Sequence, residues 1–217
     1  MIKETREIKD VNQVALRGYG ELFIKQGDQE SLEIETEERY MDRVKTRVQK
    51  GVLKIDVVGE FWHRFNSIFS RGYNPPRVKY YLMVKDLTGL KVSGAGRVEI
   101  DELWTEKFTV SLDGAAEMRI DALDAEYLRV DMPGAGNINI RGEVEKQNVT
   151  LDGAGAYSAR KLECQSANVA INGVGKAIVW AVEELDVRVT GIGSVEYYGN
   201  PRVTKSVSGL GSITRRE

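Results

Sequence analysis

The sequence predicts an all-β protein built as a parallel β-helix, a single-stranded solenoid with about 18–20 residues per coil, at least seven coils and an irregular N-terminal capping region. Three observations lead there. A Gly-x-Gly segment recurs at near-constant spacing, apolar residues fall into fixed columns around it, and each repeat is too short to hold a helix between its strands. A strand–helix–strand crossover needs about 30 residues.

The recurring segments are "VSGAGRVEI", "LDGAAEMRI", "MPGAGNINI", "LDGAGAYSA", "INGVGKAIV", "VTGIGSVEY" and "VSGLGSITR". Their first glycines are Gly94, Gly114, Gly134, Gly153, Gly173, Gly191 and Gly209, so the step hardly varies along the chain. An eighth copy, "LRGYGELFI", lies upstream around Gly18. Self-similarity at this period is the signature of stacked coils.

The columns follow. Two residues before the first glycine stand Val92, Leu112, Met132, Leu151, Ile171, Val189 and Val207. Four before it are Leu90, Val110, Val130, Val149, Val169 and Val187, with Lys205 breaking the series. Four after it come Val98, Met118, Ile138, Tyr157, Ala177, Val195 and Ile213. Polar residues lie between, which is the alternation of strands with one buried face. A third, weaker column comprises Leu103, Leu123, Val144, Leu162 and Val182. The residue between the glycines runs Ala95, Ala115, Ala135, Ala154, Val174, Ile192 and Leu210. The expectation is that it points into a widening core, with the glycines relieving crowding or supplying positive φ at the corner.

Residues 1–217 are read as one β-helical domain, with irregular coils and a cap over 1–90 and regular repeats over 91–217. "SLEIETE", "KTRVQKGVLKIDV" and "RVKYYLMV" read as strands, the second a hairpin turning at Lys50-Gly51. "ERYMDRV" reads as a short helical turn. Segment 60–77, "EFWHRFNSIFSRGYNPPR", concentrates Phe61, Trp62, Phe65, Phe69 and Tyr73. Phe61, Phe65 and Phe69 recur at the spacing of one helix face. Two readings of that face are open: a cover for the open end or flank of the core, or an interaction surface for a partner, a second copy or lipid.

Composition narrows the function. Net charge is −2 and basic residues are interleaved with acidic ones, so no field favours nucleic acid. No run approaches the length of a transmembrane helix. The N-terminal "MIKETREIKD" carries no apolar leader, so the chain is either cytoplasmic or follows an export signal already removed. A phosphate loop needs its glycines between strand and helix; here each Gly-x-Gly precedes another strand. No cofactor is expected. One histidine, His63, and one cysteine, Cys164, cannot assemble a zinc-type cluster. The row before the first glycine (Ser93, Asp113, Pro133, Asp152, Asn172, Thr190, Ser208) reads as solvated rather than as a calcium cage. Glu99, Asp101, Glu117 and Asp121 are carboxylates on outer strand faces, and the coils leave no residues for the long loops of a catalytic cleft. No catalytic residues are expected.

The recurrent Val/Leu-x-Gly-x-Gly-x-Val/Ile-x-Ile, led by "VALRGYGELFIKQGDQESLEIETEE" and then "VQKGVLKI", resembles the auto-transporter adhesin head GIN domain family of bacterial β-helix-like domains. The resemblance runs from about Val11 to Ile213. It implies a periplasmic or cell-surface location and a role in adhesion, and it carries no catalytic residues. The sequence therefore predicts a non-enzymatic binding or structural domain that meets a protein or glycan surface. The alternatives are a scaffold that self-assembles through its ends or the aromatic segment, and a carbohydrate-binding or carbohydrate-processing β-helix.

Overall fold

The structure, a computed structural model, describes residues 1–57 and 77–217. Of the described residues 77% are strand and 2% helix, in a β-solenoid of about six turns. Seven glycine corners between Gly94 and Gly209 bound six complete coils, which accounts for the difference from the seven expected.

The strands in chain order are β1 (Ile2–Arg6), β2 (Gln13–Arg17), β3 (Tyr19–Gln26), β4 (Ser31–Thr36), β5 (Val44–Gln49), β6 (Val52–Val57), β7 (Lys79–Val84), β8 (Gly89–Val92), β9 (Ala95–Leu112), β10 (Ala115–Met132), β11 (Ala135–Leu151), β12 (Ala154–Ile171), β13 (Val174–Val189), β14 (Ile192–Tyr198), β15 (Arg202–Val207) and β16 (Leu210–Arg215). One short helix, α1 (Glu38–Met41), lies between β4 and β5.

From β9 onward each coil pairs in parallel with the next, Ala95 opposite Ala115, Ala115 opposite Ala135 and so on to Ile192 opposite Leu210. The long strands bend twice. In β9 the in-out alternation breaks where Asp101 and Glu102 are both exposed, and again between Leu103 and Phe108. Two successive outward residues cannot occur on a flat strand, so each break marks a turn of the coil. The three sides enclose a continuous core. The columns around the glycines are buried in every coil up to Val195, and at Val207 and Lys205 they come to the surface.

The third column is composed differently from the sequence reading. Leu103, Leu123, Gly142 and Leu162 share a register, while Val144 pairs with Ala125 and Cys164. Val182 faces solvent and Ala181 is buried in its place. Register shifts between Asn139 and Arg141, and between Ser158 and Glu163, move the pairing by a residue or more.

The N-terminal region holds two further layers, out of chain order. The Gly18 copy stacks directly on the Gly94 corner, with Tyr19 opposite Ala95 and Gly20 opposite Gly96. Outside it lies the layer formed by β6 and β7, which pair in parallel with β2 and β3. β5 and β4 then run antiparallel against β6 and β7, and β1 against β4, closing this end. Lys50 and Gly51 turn the β5–β6 hairpin with φ of 52° and 76°, the left-handed pair of a tight hairpin turn. The stretch of chain from Asp56 to Lys79 is several times longer than the register-matched stretch from Arg17 to Glu21. The extra chain therefore enters at a corner. Phe61, Trp62, Phe65, Phe69 and Tyr73 lie outside the described residues.

Candidate functional site

The corner is set by a backbone contact. The N–H of the residue between the glycines donates to the carbonyl of the first glycine one coil earlier: Ala115 to Gly94 at 2.8 Å, Ala135 to Gly114 at 2.9 Å, Leu210 to Gly191 at 2.9 Å. That carbonyl sits where a side chain on the next first glycine would go. A Cβ built on Gly94, Gly114, Gly134, Gly153, Gly173, Gly191 or Gly209 would stand 1.8–2.2 Å from it. These glycines serve close approach between coils, and none of the seven has positive φ.

The same geometry corrects the expectation for the residue between them. With its N–H turned to the previous coil, its side chain leaves the rod. Ala115, Ala135, Ala154, Val174, Ile192 and Leu210 are exposed and Ala95 half-exposed. The series records the surface, not a widening core.

Outward positions form ladders, because parallel in-register coils place equivalent residues about 4.8 Å apart. Several are self-compensating. Arg97 bridges to Glu117 at 3.3 Å, and Lys91 to Asp113 at 2.6 Å. Asn172 donates to Asp152 at 2.7 Å, and the Thr190 hydroxyl to Asn172 at 2.8 Å. Lys176 and Arg216 flank Glu196 at 2.6 and 3.1 Å. The hydrogen bonds from Arg216 and then Lys176 hold that carboxyl down at about 2. Of the carboxylates weighed for hydrolysis, Glu99 and Glu117 pair with Arg97 and Asp121 with Arg119, while Asp101 is exposed and makes no ion pair among the described residues. They are spread over the outer surface, with Glu117 beside the shallow groove described below.

A ladder on the short side combines unpaired carboxylates with aromatic rings. On the short side of the coil Trp104, Asp124, Glu143, Glu163 and Trp180 lie in register on five successive coils, with Tyr198 opposite Trp180 on the next. The residues flanking Asp124 and Glu163 are buried, as is Val144 beside Glu143, so these side chains face out. Asp124, Glu143 and Glu163 make no ion pair or side-chain hydrogen bond among the described residues. Like charges directly opposite on neighbouring strands are destabilising, so this row stands apart from the compensated ones. Trp104 is 56% exposed, and its backbone is held by Gln26, whose Oε1 accepts from the Trp104 N–H at 2.8 Å. At the other end the Arg160 guanidinium lies 5.1 Å from the Tyr198 ring centre. Six positions at that spacing span about 24 Å. Sequence periodicity hides this row because its members are unevenly spaced, Glu163 and Trp180 standing closer than the others, and the register shifts fall on this side.

A second feature is a shallow groove of about 610 Å³ beside the corners, where Ala115 and Ala135 leave room between Glu21, Arg97, Glu117 and Asn137. Inside the rod, the Tyr157 hydroxyl donates to Gln147 Oε1 at 2.9 Å, Gln147 Nε2 to Cys164 Sγ at 3.1 Å, and the Cys164 thiol to the Trp180 carbonyl at 3.2 Å. Burial pushes the Cys164 thiol up to about 11, so it stays protonated as a donor. This closed chain is structural. Among the described residues no group of His, Cys, Asp and Glu is arranged to hold a metal ion, and no helix is long and apolar enough to cross a membrane.

The family described as "Putative auto-transporter adhesin, head GIN domain" matches residues 10–201. The chain belongs to this family. Among solved structures, this GIN-domain protein is similar to a "putative adhesin" from Bacteroides fragilis, with a TM-score of 0.86, 20% identity, and coverage of 99% of this chain and 96% of that one. It is also similar to a "putative lipid binding protein" from Parabacteroides distasonis (TM-score 0.71, 25% identity, 99% and 97% covered). A third, a "putative adhesin" from Parabacteroides merdae, has a TM-score of 0.66 and 18% identity, with 100% and 96% covered. No curated protein matches the chain. The GIN-domain family and these neighbours are thus named for adhesion or lipid binding, not for catalysis.

Proposed function

We propose that this GIN-domain chain is a non-enzymatic recognition rod of the cell envelope or cell surface, and that the Trp104–Trp180 face is where it meets an extended glycan. The observation that carries this reading is the uncompensated ladder: three in-register carboxylates between aromatic rings at the surface. A flat face with a repeat of about 4.8 Å suits a polymer that offers a similar group at each step. Indole rings supply apolar stacking area with little side-chain entropy to lose. Carboxylates accept from sugar hydroxyl or amino groups, and those hydrogen bonds are stronger for the acceptor's charge. A catalytic role suits the face less, because general acid catalysis relies on a carboxyl sheltered from water and this row stands in the open.

Calorimetric titration against neutral, amino-substituted and acidic oligosaccharides tests the proposal. Neutral or amino-substituted chains should bind, and Trp104→Ala should weaken binding about tenfold or more. A flat response to the whole panel, or binding that Trp104→Ala leaves unchanged, would contradict it.

The aromatic residues Phe61, Trp62, Phe65, Phe69 and Tyr73 form the second proposed contact region. Its support is the point of insertion, a corner of the layer formed by β6 and β7.

A further inference from the structure

The two ends of the solenoid are finished differently. At the start, antiparallel β5, β4 and β1 lie outside the layer formed by β6 and β7. At the far end β15 pairs with β13 and β16 with β14, and among the described residues no strand covers their outer edges. The corner series changes toward that end. It is alanine at 95, 115, 135 and 154, then Val174, Ile192 and Leu210 in direct register. Those three are 55%, 53% and 72% exposed, and Val207 beside the last corner is 44% exposed. A convex line of branched aliphatics about 10 Å long therefore runs along one corner to the open tip.

The charge of the tip is opposite to that of the rest. Residues 202–217 contain Arg202, Lys205, Arg215 and Arg216 against Glu217, a net of +3; the whole chain is −2, which leaves −5 elsewhere. Arg202 pairs with Glu184 and Arg216 with Glu196. Lys205 and Arg215 make no ion pair among the described residues. Lys205 sits opposite Val187, at the end of a column that is valine in the five coils before it.

We propose that this tip docks on an anionic lipid surface, with Leu210, Ile192 and Val174 entering the boundary between headgroups and acyl chains and Lys205 and Arg215 meeting lipid phosphates. A second copy fits poorly. Another coil laid on the tip would cover the Lys205 ammonium with apolar surface, and two tips that each carry the unpaired Lys205 and Arg215 repel. A protein partner would need a rigid hollow matched to a projecting ridge, whereas lipid deforms around it. Lysine and arginine reach phosphate with their stems along the apolar side chains. Docked this way, the rod stands on the bilayer with the Trp104–Trp180 face turned sideways. The docking is independent of that face.

The whole chain is mixed with vesicles of phosphatidylcholine alone and with vesicles containing a third phosphatidylglycerol, and bound protein is measured by flotation. Binding is expected to the anionic vesicles only, and to weaken with added salt. Ile192→Ser with Leu210→Ser should lower partitioning about tenfold or more. Lys205→Gln and Arg215→Gln should each lower it about fivefold, and Trp104→Ala should leave it unchanged. All these side chains are exposed, so matching melting temperatures are expected for the variants. Three results overturn the proposal: no binding to anionic vesicles, equal binding to neutral ones, or full binding by the tip variants. A solution mass above 24.3 kDa that Leu210→Ser abolishes also overturns it, by assigning the ridge to a second copy.

Discussion

At the first glycine of each corner, a backbone carbonyl from the previous coil stands 1.8–2.2 Å from where a Cβ would be. The neighbour is main chain already hydrogen-bonded in the ladder, so it cannot yield as a flexible side chain would. Gly134→Ala, with its Cβ placed 2.2 Å from the Gly114 carbonyl, should therefore cost on the order of 3 kcal/mol or more. Ala135→Val, one residue away and pointing outward, should change stability by less than about 0.5 kcal/mol. Urea unfolding of the two variants checks the pair, and a costly Ala135→Val would reinstate an inward side chain. The invariance of the glycines was legible in the sequence, but its cause was not. Small residues at a repeated corner are compatible with either an inward alanine or a close backbone approach, and only the direction of the Ala115 and Ala135 N–H groups separates them. Glu196 gives a residue-scale prediction in pH. Its carboxyl is held at about 2 in the fold by Arg216 and Lys176, below the ordinary value near 4.3 that it regains on unfolding. A depressed carboxyl adds stability above the unfolded value and loses it as pH falls toward the folded one. The melting temperature of the native chain should exceed that of Glu196→Gln at neutral pH, and the gap should close between about pH 5 and pH 2.

At the scale of elements, the columns beside the glycines translated directly into buried strand faces, because one inward residue per two is fixed by the pleat. The short side did not translate. Gly142 occupies the place where Leu103, Leu123 and Leu162 stack, and the coil absorbs unequal repeat lengths there by shifting register. A period averaged over the chain blurs the rows on that side, so the Trp104–Trp180 ladder leaves no regular sequence signal. The N-terminal third was legible as strands and as a cap, yet its stacking order was hidden. Periodicity reports neighbours in sequence, and here the layer holding Gly18 sits between two layers formed later in the chain. That order makes a prediction. β6 and β7 take their partners from β2 and β3, so replacing residues 58–76 with a short Gly-Ala-Gly corner should leave the far-UV circular dichroism and the cooperative melt in place. Loss of the cooperative melt would show that the inserted residues hold the first layer together.

For the whole molecule, the core is continuous and the outer surface is a set of ladders, so recognition has to be read from what each ladder leaves uncompensated. Paired rows such as Lys176–Glu196–Arg216 satisfy themselves. The row from Trp104 to Trp180 does not, and a face of that kind, on a rod whose family is named for adhesion, is the basis of the recognition proposal. The chain has three tryptophans, of which Trp104 and Trp180 stand on this face and Trp62 in the inserted segment. Their three indole N–H signals in a nitrogen–proton correlation spectrum, followed while an oligosaccharide is added, test that claim most directly. The Trp104 and Trp180 signals should move together along one saturating curve while Trp62 stays still. Movement of Trp62 alone, or no movement across neutral and amino-substituted glycans, would contradict it.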